Sequence, residues 1–248
     1  MTLLDLTLPS PAENLALDEA LLDAAEAGEI GEALRFWESP TYFVVVGYAN
    51  KVASEVNVAA CEARGIPIMR RCSGGGTVVQ GPGCLNYAVV LRINESGPTQ
   101  NITTANQHVM EHVRRAVASE IRTPNFELRI QGHTDLVVVE TDAQCSLALK
   151  FSGNAQRRRK NFLLFHGTLL LNFNLWLISE LLNMPSQQPD YRAGRSHDEF
   201  IMNLPLSAEA VKRALAAEWQ AMESASRPPR IPDDLLGKYQ SSEWNLKF

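Results

Sequence analysis

Cysteine is scarce in this 248-residue chain, and its four copies, Cys61, Cys72, Cys84 and Cys145, form no C-x-x-C pair. A chain of this size can rely on a core instead of disulfides, so reduced thiols in a cytoplasmic protein are the expectation. Long apolar runs are missing as well. No stretch approaches the roughly 18 apolar residues of a membrane helix, and Met1 to Leu8 carries Asp5 with no basic n-region or small-residue cleavage site. That opening reads as a first strand, not a signal peptide, and membrane association and export are not expected. Neither sign of charge dominates. The net charge of -5 argues against broad nucleic-acid binding, and no internal repeat or low-complexity linker divides the chain. With 45% hydrophobic and 21% charged residues, the composition suits one domain over 1–248 with a substantial core.

What is present alternates between short extended runs and helices. Ala12 to Ala27 has Leu15, Leu17, Leu21 and Leu22 among acids and alanines. Ser10 as N-cap and Pro11 at the first helical position predict an amphipathic helix there. Ala33 to Trp37 and Tyr42 to Gly47 read as strands, and Val56 to Gly65 as a short helix closed by glycine. Ile66 to Arg71, Thr77 to Val79 and Leu85 to Ile93 are extended runs joined by Gly74-Gly75-Gly76 and Gly81-Pro82-Gly83. Connections that short leave no room for crossover helices, so the pairing is antiparallel and a doubly wound parallel sheet is excluded. Asn106 to Ser119 is helical by its Val109, Val113, Val117 spacing. Leu128 to Leu149 predicts a hairpin turning around Thr141 to Gln144, and Phe162 to Phe173 supplies a further strand. Ser207 to Met222 is a helix, and Ser226 to Phe248 reads as a terminal segment of lower order.

Two stretches carry the chemistry. Arg70-Arg71-Cys72-Ser73-Gly74-Gly75-Gly76-Thr77 sets two cations before a backbone that lacks Cβ atoms and that a charged ligand can approach closely. It has neither a Gly-Lys-Ser/Thr ending nor G-x-G-x-x-G spacing, which leaves an anion cradle or a plain hairpin loop. Lys150 lies in an apolar run, Ser146 to Phe151, and must either snorkel outward or meet a partner. Gly153, Asn154 and His166-Gly167-Thr168 are small or polar residues between hydrophobic strands, where a ligand would replace core packing. His108-Val109-Met110-Glu111-His112 formally matches H-x-x-E-H, but no third ligand is evident, and two solvated histidines on a surface helix explain it; no metal site is expected. Cys145 stands five residues from Lys150, an odd offset that puts the two on opposite faces of a regular strand. Arg157 to Lys160 is either a solvated basic loop or a dock for an acidic surface, since charges beyond about 8 Å are screened at physiological salt.

With these residues in view, the chain resembles the catalytic domain of the lipoate-protein ligase family. The resemblance rests on Arg70-Arg71-x-Ser73-Gly74-Gly75-Gly76-Thr77-Val78, Gly83-x-Leu85-Asn86, Lys150-x-Ser152-Gly153-Asn154-Ala155-Gln156 and His166-Gly167-Thr168-Leu169-Leu170. Weaker agreement at Asn14-Leu15-Ala16-x-Asp18, Arg35-Phe36-Trp37 and Gly47 extends it over about Leu3 to Leu204, leaving 205–248 as a helix and a C-terminal extension. The resemblance implies an α+β fold of the class II synthetase and biotinyl/lipoyl transferase kind, with a mixed, largely antiparallel sheet flanked by helices. It implies lipoate, ATP and Mg2+, with lipoyl-AMP as the intermediate and the lysine of an acceptor lipoyl domain or H-like protein as the target. Lys150 would be the catalytic contact to the acyl carbonyl and phosphate. Arg70, Arg71, Ser73, Gly74, Gly75, Gly76 and Thr77 would hold the anionic end, and Asn86, Gly153, Asn154, Ala155, His166, Gly167 and Thr168 would line the pocket. Bipartite members carry a separate small C-terminal domain, for which the residues after Leu204 are too few, so a small accessory subunit for adenylation or a preformed acyl donor is implied. An octanoyl or lipoyl transferase with an acyl-protein donor is the alternative, followed by a lipoyl-binding protein without turnover.

Overall fold

The computed structural model describes residues 1–141, 147–185, 187–223 and 228–248. Its main sheet begins with β1 (Thr2–Asp5) and β2 (Ala33–Trp37), joined through α1 (Pro11–Glu26). Ser10 caps α1 with a full capping box, its hydroxyl accepting from the Glu13 amide while Glu13 reaches back, an arrangement worth about 1 kcal/mol. A smaller sheet follows, of β3 (Phe43–Val46), β4 (Ile68–Arg70) and β5 (Val78–Gln80), with α2 (Val52–Glu55) and α3 (Val58–Arg64) between its strands. Gly65 ends α3 in the left-handed conformation, φ 63°, as its position in the sequence suggests.

The chain then returns to the main sheet with β6 (Cys84–Arg92), α4 (Ile102–Glu120), β7 (Phe126–Gln131), β8 (Asp135–Glu140), β9 (Leu149–Arg158) and β10 (Phe162–Leu170). After α5 (Trp176–Leu181) and α6 (Ala208–Glu218), β11 (Met222–Glu223) completes the eight-stranded order β11-β1-β2-β6-β10-β9-β8-β7. Only β1 pairs in parallel, with β2 and β11; the other pairings in this sheet are antiparallel. The mixed, largely antiparallel α+β fold is therefore present.

Side-chain alternation gives the sheet two unlike faces. Leu34, Phe36, Tyr87, Val89, Phe165 and Leu163 face α4 and α6 in an apolar core. On the opposite face Ala33, Ala88, Val90 and Leu164 pack on α1, but toward the other end of the same strands the residues become Asn86, Thr168 and Gly153, which stand in one cross-strand row. The second row holds Ala88, His166 and Ala155. Small and polar side chains on a central sheet face leave a hollow, and the small sheet closes it from above.

Three expectations need correction. The extended runs joined by the glycine turns do not pair with one another: β4 and β5 flank β3, β4 in parallel and β5 antiparallel, and β6 belongs to the main sheet, because the turns carry the chain across between sheets and around β3 instead of closing hairpins. The hairpin of β7 and β8 turns at 132–134, where Gly132 adopts φ 57°; the connection at Thr141 to Gln144 joins β8 to β9, and residues 142–146 lie outside the described residues. The C-terminal segment is ordered as α7 (Asp233–Gln240) and α8 (Ser242–Asn245). Tyr239 is wholly buried and donates to Glu19 at 2.6 Å, beside Lys238 on the same carboxylate at 2.7 Å. Helices this short gain most of their stability from tertiary packing, which sequence periodicity does not register.

Candidate active site

Between the two sheets lies a cavity of about 840 Å3. Lys150, Arg71, Gly75, Gly76 and Thr77 of the glycine loop, Asn86 and the strand residues Gly153, Asn154, Ala155, His166, Gly167 and Thr168 line it together.

Lys150 reaches this cavity because β9 is irregular. Leu136 pairs with Ser152 but Val137 pairs with Lys150, so Phe151 is an extra residue in β9. Such a bulge reverses the alternation. Phe151 joins the apolar core, while Lys150 turns to the side of Gly153, whose added Cβ would stand 3.2 Å from Nζ. The ammonium is 2.8 Å from Asp135 Oδ1, and the hydroxyl of Tyr191 donates to Asp135 Oδ2 at 2.7 Å. Burial, and then the Asp135 charge, push the Tyr191 phenol far up, so it remains a donor. The lysine thus has a partner and faces the hollow, the outcome in which it does not simply snorkel away.

The glycine loop is held from below. Arg71, almost buried, donates through Nη2 to Gly74 O at 2.5 Å and Gly76 O at 2.7 Å, and through Nε to Ser73 Oγ and Gly74 O at 3.1 Å. With the carbonyls so occupied, the amides of Gly74, Gly75 and Gly76 have no acceptor among the described residues. Gly75 takes φ 81°, which glycine permits without strain. Three amides without an acceptor among the described residues thus stand beside a buried guanidinium. Burial lowers the Arg71 pKa to about 10, leaving it charged at neutral pH. Asn50 also steadies the loop, donating to Gly75 O at 3.1 Å.

Arg70 does something different. Successive residues of a strand point to opposite sides, and Arg70, wholly buried, donates to Trp244 O, Gly47 O, Tyr48 O and Asn50 O. It does not line the cavity and braces the loop from behind instead. Ser73 and Gly74 do not line it either.

His166 connects the loop to α1. Its Nε2 is 2.5 Å from Ser73 Oγ and its Nδ1 is 3.4 Å from Asp18 Oδ2. Asp18 in turn holds Arg35 Nη1 at 2.6 Å, with 3% and 0% side-chain exposure. Burial alone would raise the Asp18 carboxyl, but Arg35 and His166 outweigh it and hold the pKa below the usual value. Asn154 is locked on the apolar side, accepting from Tyr87 at 2.5 Å and donating to Thr134 O at 2.7 Å. Its amide lies over Gly167, where a Cβ would meet Oδ1 at 1.6 Å. Gly167 is therefore needed for packing, while Asn86 Nδ2 donates to Cys84 O at 3.3 Å and Thr168 completes its row.

Asp135, Tyr191, Asp18 and Arg35 were not among the expected site residues. A lysine inside an apolar strand demands a carboxylate, and the acids of the neighbouring strand were the signal for Asp135. Tyr191 lies in a segment without periodicity and gave none. The basic run is largely committed internally: Arg158 donates to Thr99 O and Gln100 O, Arg159 bonds Asp23, and Arg157 stacks over Tyr48. His112 is not simply solvated, because it contacts Glu218 at 2.7 Å and packs on Trp219. Among the described residues no group of acids, histidines and cysteines is arranged to hold a metal. Cys61, Cys72 and Cys84 are buried, burial pushes the Cys72 thiol up to about 12, and none lines the cavity; Cys145 lies outside the described residues.

The cavity thus sets a carboxylate-paired lysine against the glycine loop. The lipoyl protein ligase A/B catalytic domain matches residues 10–220, and the chain belongs to that family. Octanoyltransferase LipM of Kyrpidia tusciae is 27% identical over 264 residues, covering 96% of this chain and 95% of that protein. A protein of Aeropyrum pernix, provisionally named lipoate-protein ligase A, is 30% identical over 213 residues, covering 86% of this chain and 72% of its own. The solved bipartite lipoate protein ligase of Thermoplasma acidophilum superposes with a TM-score of 0.77 at 23% identity, covering 99% and 95% of the two chains. The family match extends beyond Leu204 through α6. No helix among the described residues is long and apolar enough to cross a membrane.

Proposed function

We propose that this enzyme attaches lipoate, through lipoyl-AMP, to a lysine of an acceptor lipoyl domain. The observation that carries this reading is the cavity itself, with Lys150 on one wall and Gly75 and Gly76 of the Arg71-braced loop on another. In the first step the lipoate carboxylate attacks the α-phosphorus of ATP and pyrophosphate leaves. In the second the acceptor amine attacks the acyl carbon, an amide forms, AMP departs and the amine's proton passes to solvent. In the first step charge leaves the carboxylate for the phosphate oxygens and the departing pyrophosphate, and in the second it builds on the carbonyl oxygen and the departing AMP; fixed cationic and amide donors stabilise it without reorganising. The carboxylates near the cavity are engaged, Asp135 by Lys150 and Tyr191 and Asp18 by Arg35. Among the described residues no group of acids, histidines and cysteines could hold a metal, and in this reading Mg2+ would arrive on the ATP phosphates with its waters.

Transfer of octanoate from an acyl-protein donor is the second reading, favoured by the likeness to LipM. The ligase reading is preferred because no described thiol lines the cavity. Intact-mass analysis of a lipoyl domain incubated with the chain tests both. Lipoate with ATP and Mg2+, preformed lipoyl-AMP, and octanoyl carrier protein are supplied in parallel. Lipoylation in the first two arms supports the ligase. Labelling from lipoyl-AMP alone assigns adenylation to an accessory subunit, and labelling from octanoyl carrier protein alone overturns the ligase reading. Lys150→Ala is expected to lower transfer from lipoyl-AMP by ~10²–10³.

A further inference from the structure

We propose that Tyr191 is a positioning residue for this reaction: by holding one oxygen of Asp135 it fixes the other on Lys150. The proposal rests on the ligase reading for its catalytic consequence, but its geometry stands independently of that reading. Asp135 is the first residue of β8, directly after the Gly132-His133-Thr134 turn, and a carboxylate at a strand start has rotamers free to turn away from a neighbour. Two contacts from remote parts of the chain remove that freedom, Lys150 on Oδ1 at 2.8 Å and Tyr191 on Oδ2 at 2.7 Å.

Tyr191 is itself held on several sides. It sits in the short 3-10 turn Asp190–Arg192, which Ala193 closes at φ 52°. Arg195 donates to Tyr191 O at 2.9 Å, and the Tyr191 ring lies 5.2 Å from that of Phe200. The guanidinium groups of Arg192 and Arg195 cover Phe200 at 4.7 and 5.1 Å. The same segment grips the main chain of Lys150, whose amide donates to Phe200 O at 2.8 Å and whose carbonyl accepts from Met202 at 2.9 Å. Residues 191–202 therefore seize the lysine twice, once through its backbone and once through the carboxylate that orients its ammonium. An ammonium poised between a carboxylate and an anionic ligand must not wander, because misplacement lowers rate even when binding survives.

Tyr191→Phe removes only the hydroxyl and keeps the ring against Phe200, so the melting temperature should stay near that of wild type. Two readouts on the full chain test the proposal, steady-state transfer from lipoyl-AMP to the acceptor domain and the rate of reductive methylation of Lys150, followed by peptide mass spectrometry. Tyr191→Phe should lower kcat about fivefold to tenfold with little change in KM, and should speed methylation of Lys150. Asp135→Asn should do both more strongly. Adding Tyr191→Phe to Asp135→Asn should change neither further, because the hydroxyl acts through that carboxylate. Multiplying losses in the double variant, or wild-type methylation of Lys150 in Tyr191→Phe, would overturn the proposal. If wild type transfers nothing from lipoyl-AMP, the ligase reading falls alone, and the methylation pattern decides the role of Tyr191.

Discussion

Replacing Asp18 by Asn should expose how much of the site's rigidity comes from a buried ion pair. Arg35 has no solvent exposure, and its ion-pair partner is Asp18 at 2.6 Å. Removing one member of such a pair strands a buried charge and typically costs about 3–5 kcal/mol. Arg35 also donates to Leu6 O, through Nε and Nη2, and to Asn14 O and Asn14 Oδ1, and an asparagine at 18 still offers a carbonyl. The expected loss is therefore near the bottom of that range, about 3 kcal/mol, which is large against the roughly 5–15 kcal/mol of a whole domain. Urea unfolding at pH 7 measures it. Replacing both members together, Asp18→Leu with Arg35→Met, strands no charge and should cost less than Asp18→Asn alone. The pH dependence has a definite sign. The folded pKa of Asp18 lies below the usual value, so its contribution is complete above an unfolded pKa of about 3.9 and disappears as pH falls through the folded one. The difference between wild type and Asp18→Asn should be constant above about pH 5 and close below about pH 4. A loss under about 1 kcal/mol, or a double variant worse than the single one, would refute the reasoning.

Gly167→Ala places a Cβ 1.6 Å from Asn154 Oδ1, so the amide must leave Tyr87, Thr134 and Ser152; a loss of about 2–4 kcal/mol by urea unfolding is expected, partly recovered by adding Asn154→Ala. Burial lowers the pKa of His108 and, against the hydrogen bond that Asn183 O accepts from its Nε2, that of His197. Each therefore binds fewer protons in the folded chain than in the unfolded chain near about pH 6.5, so stability should fall as pH drops through that value. His197→Gln should flatten the decline in the urea midpoint between pH 7.5 and 5.5, and an unchanged slope would remove burial of His197 as its cause.

Much of the fold was readable because local signals and tertiary structure agree. Ser10, Pro11 and Glu13 mark the start of α1 and Gly65 marks the end of α3, whereas the short turns around Gly74 to Gly83 misled, because they join strands that pair with β3 and with the main sheet and not with one another. The glycine loop and Lys150 were legible as chemistry because glycine clusters and an apolar-flanked lysine are costly unless used. What escaped depends on contacts distant in sequence. The bulge at Phe151 is set by register against β8, and no property of Leu149-Lys150-Phe151-Ser152 announces it. Tyr191 meets Asp135 across 56 residues. The C-terminal helices have too few apolar positions to show a period, yet Tyr239 fills a site beside α1 completely.

Arg70 and Arg71 show how one step along a strand separates two tasks that look alike in the sequence. Arg71 turns under the glycine loop and occupies the carbonyls of Gly74 and Gly76, while the amides of Gly74 to Gly76 have no acceptor among the described residues. Arg70 turns away, where its amide donates to Asn245 Oδ1 at 2.9 Å and its carbonyl accepts from Trp244 Nε1 at 2.9 Å. Its guanidinium gathers the carbonyls of Gly47, Tyr48 and Asn50, and Asn50 then reaches forward to Gly75 O. A continuous set of hydrogen bonds therefore runs from α8 through Arg70 to the anion loop. Loop ordering is a cost that binding otherwise bears, and a loop fixed beforehand spends less of its ligand's binding energy on being ordered. The C-terminal segment thus belongs to the site energetically although it contributes no group to the cavity wall.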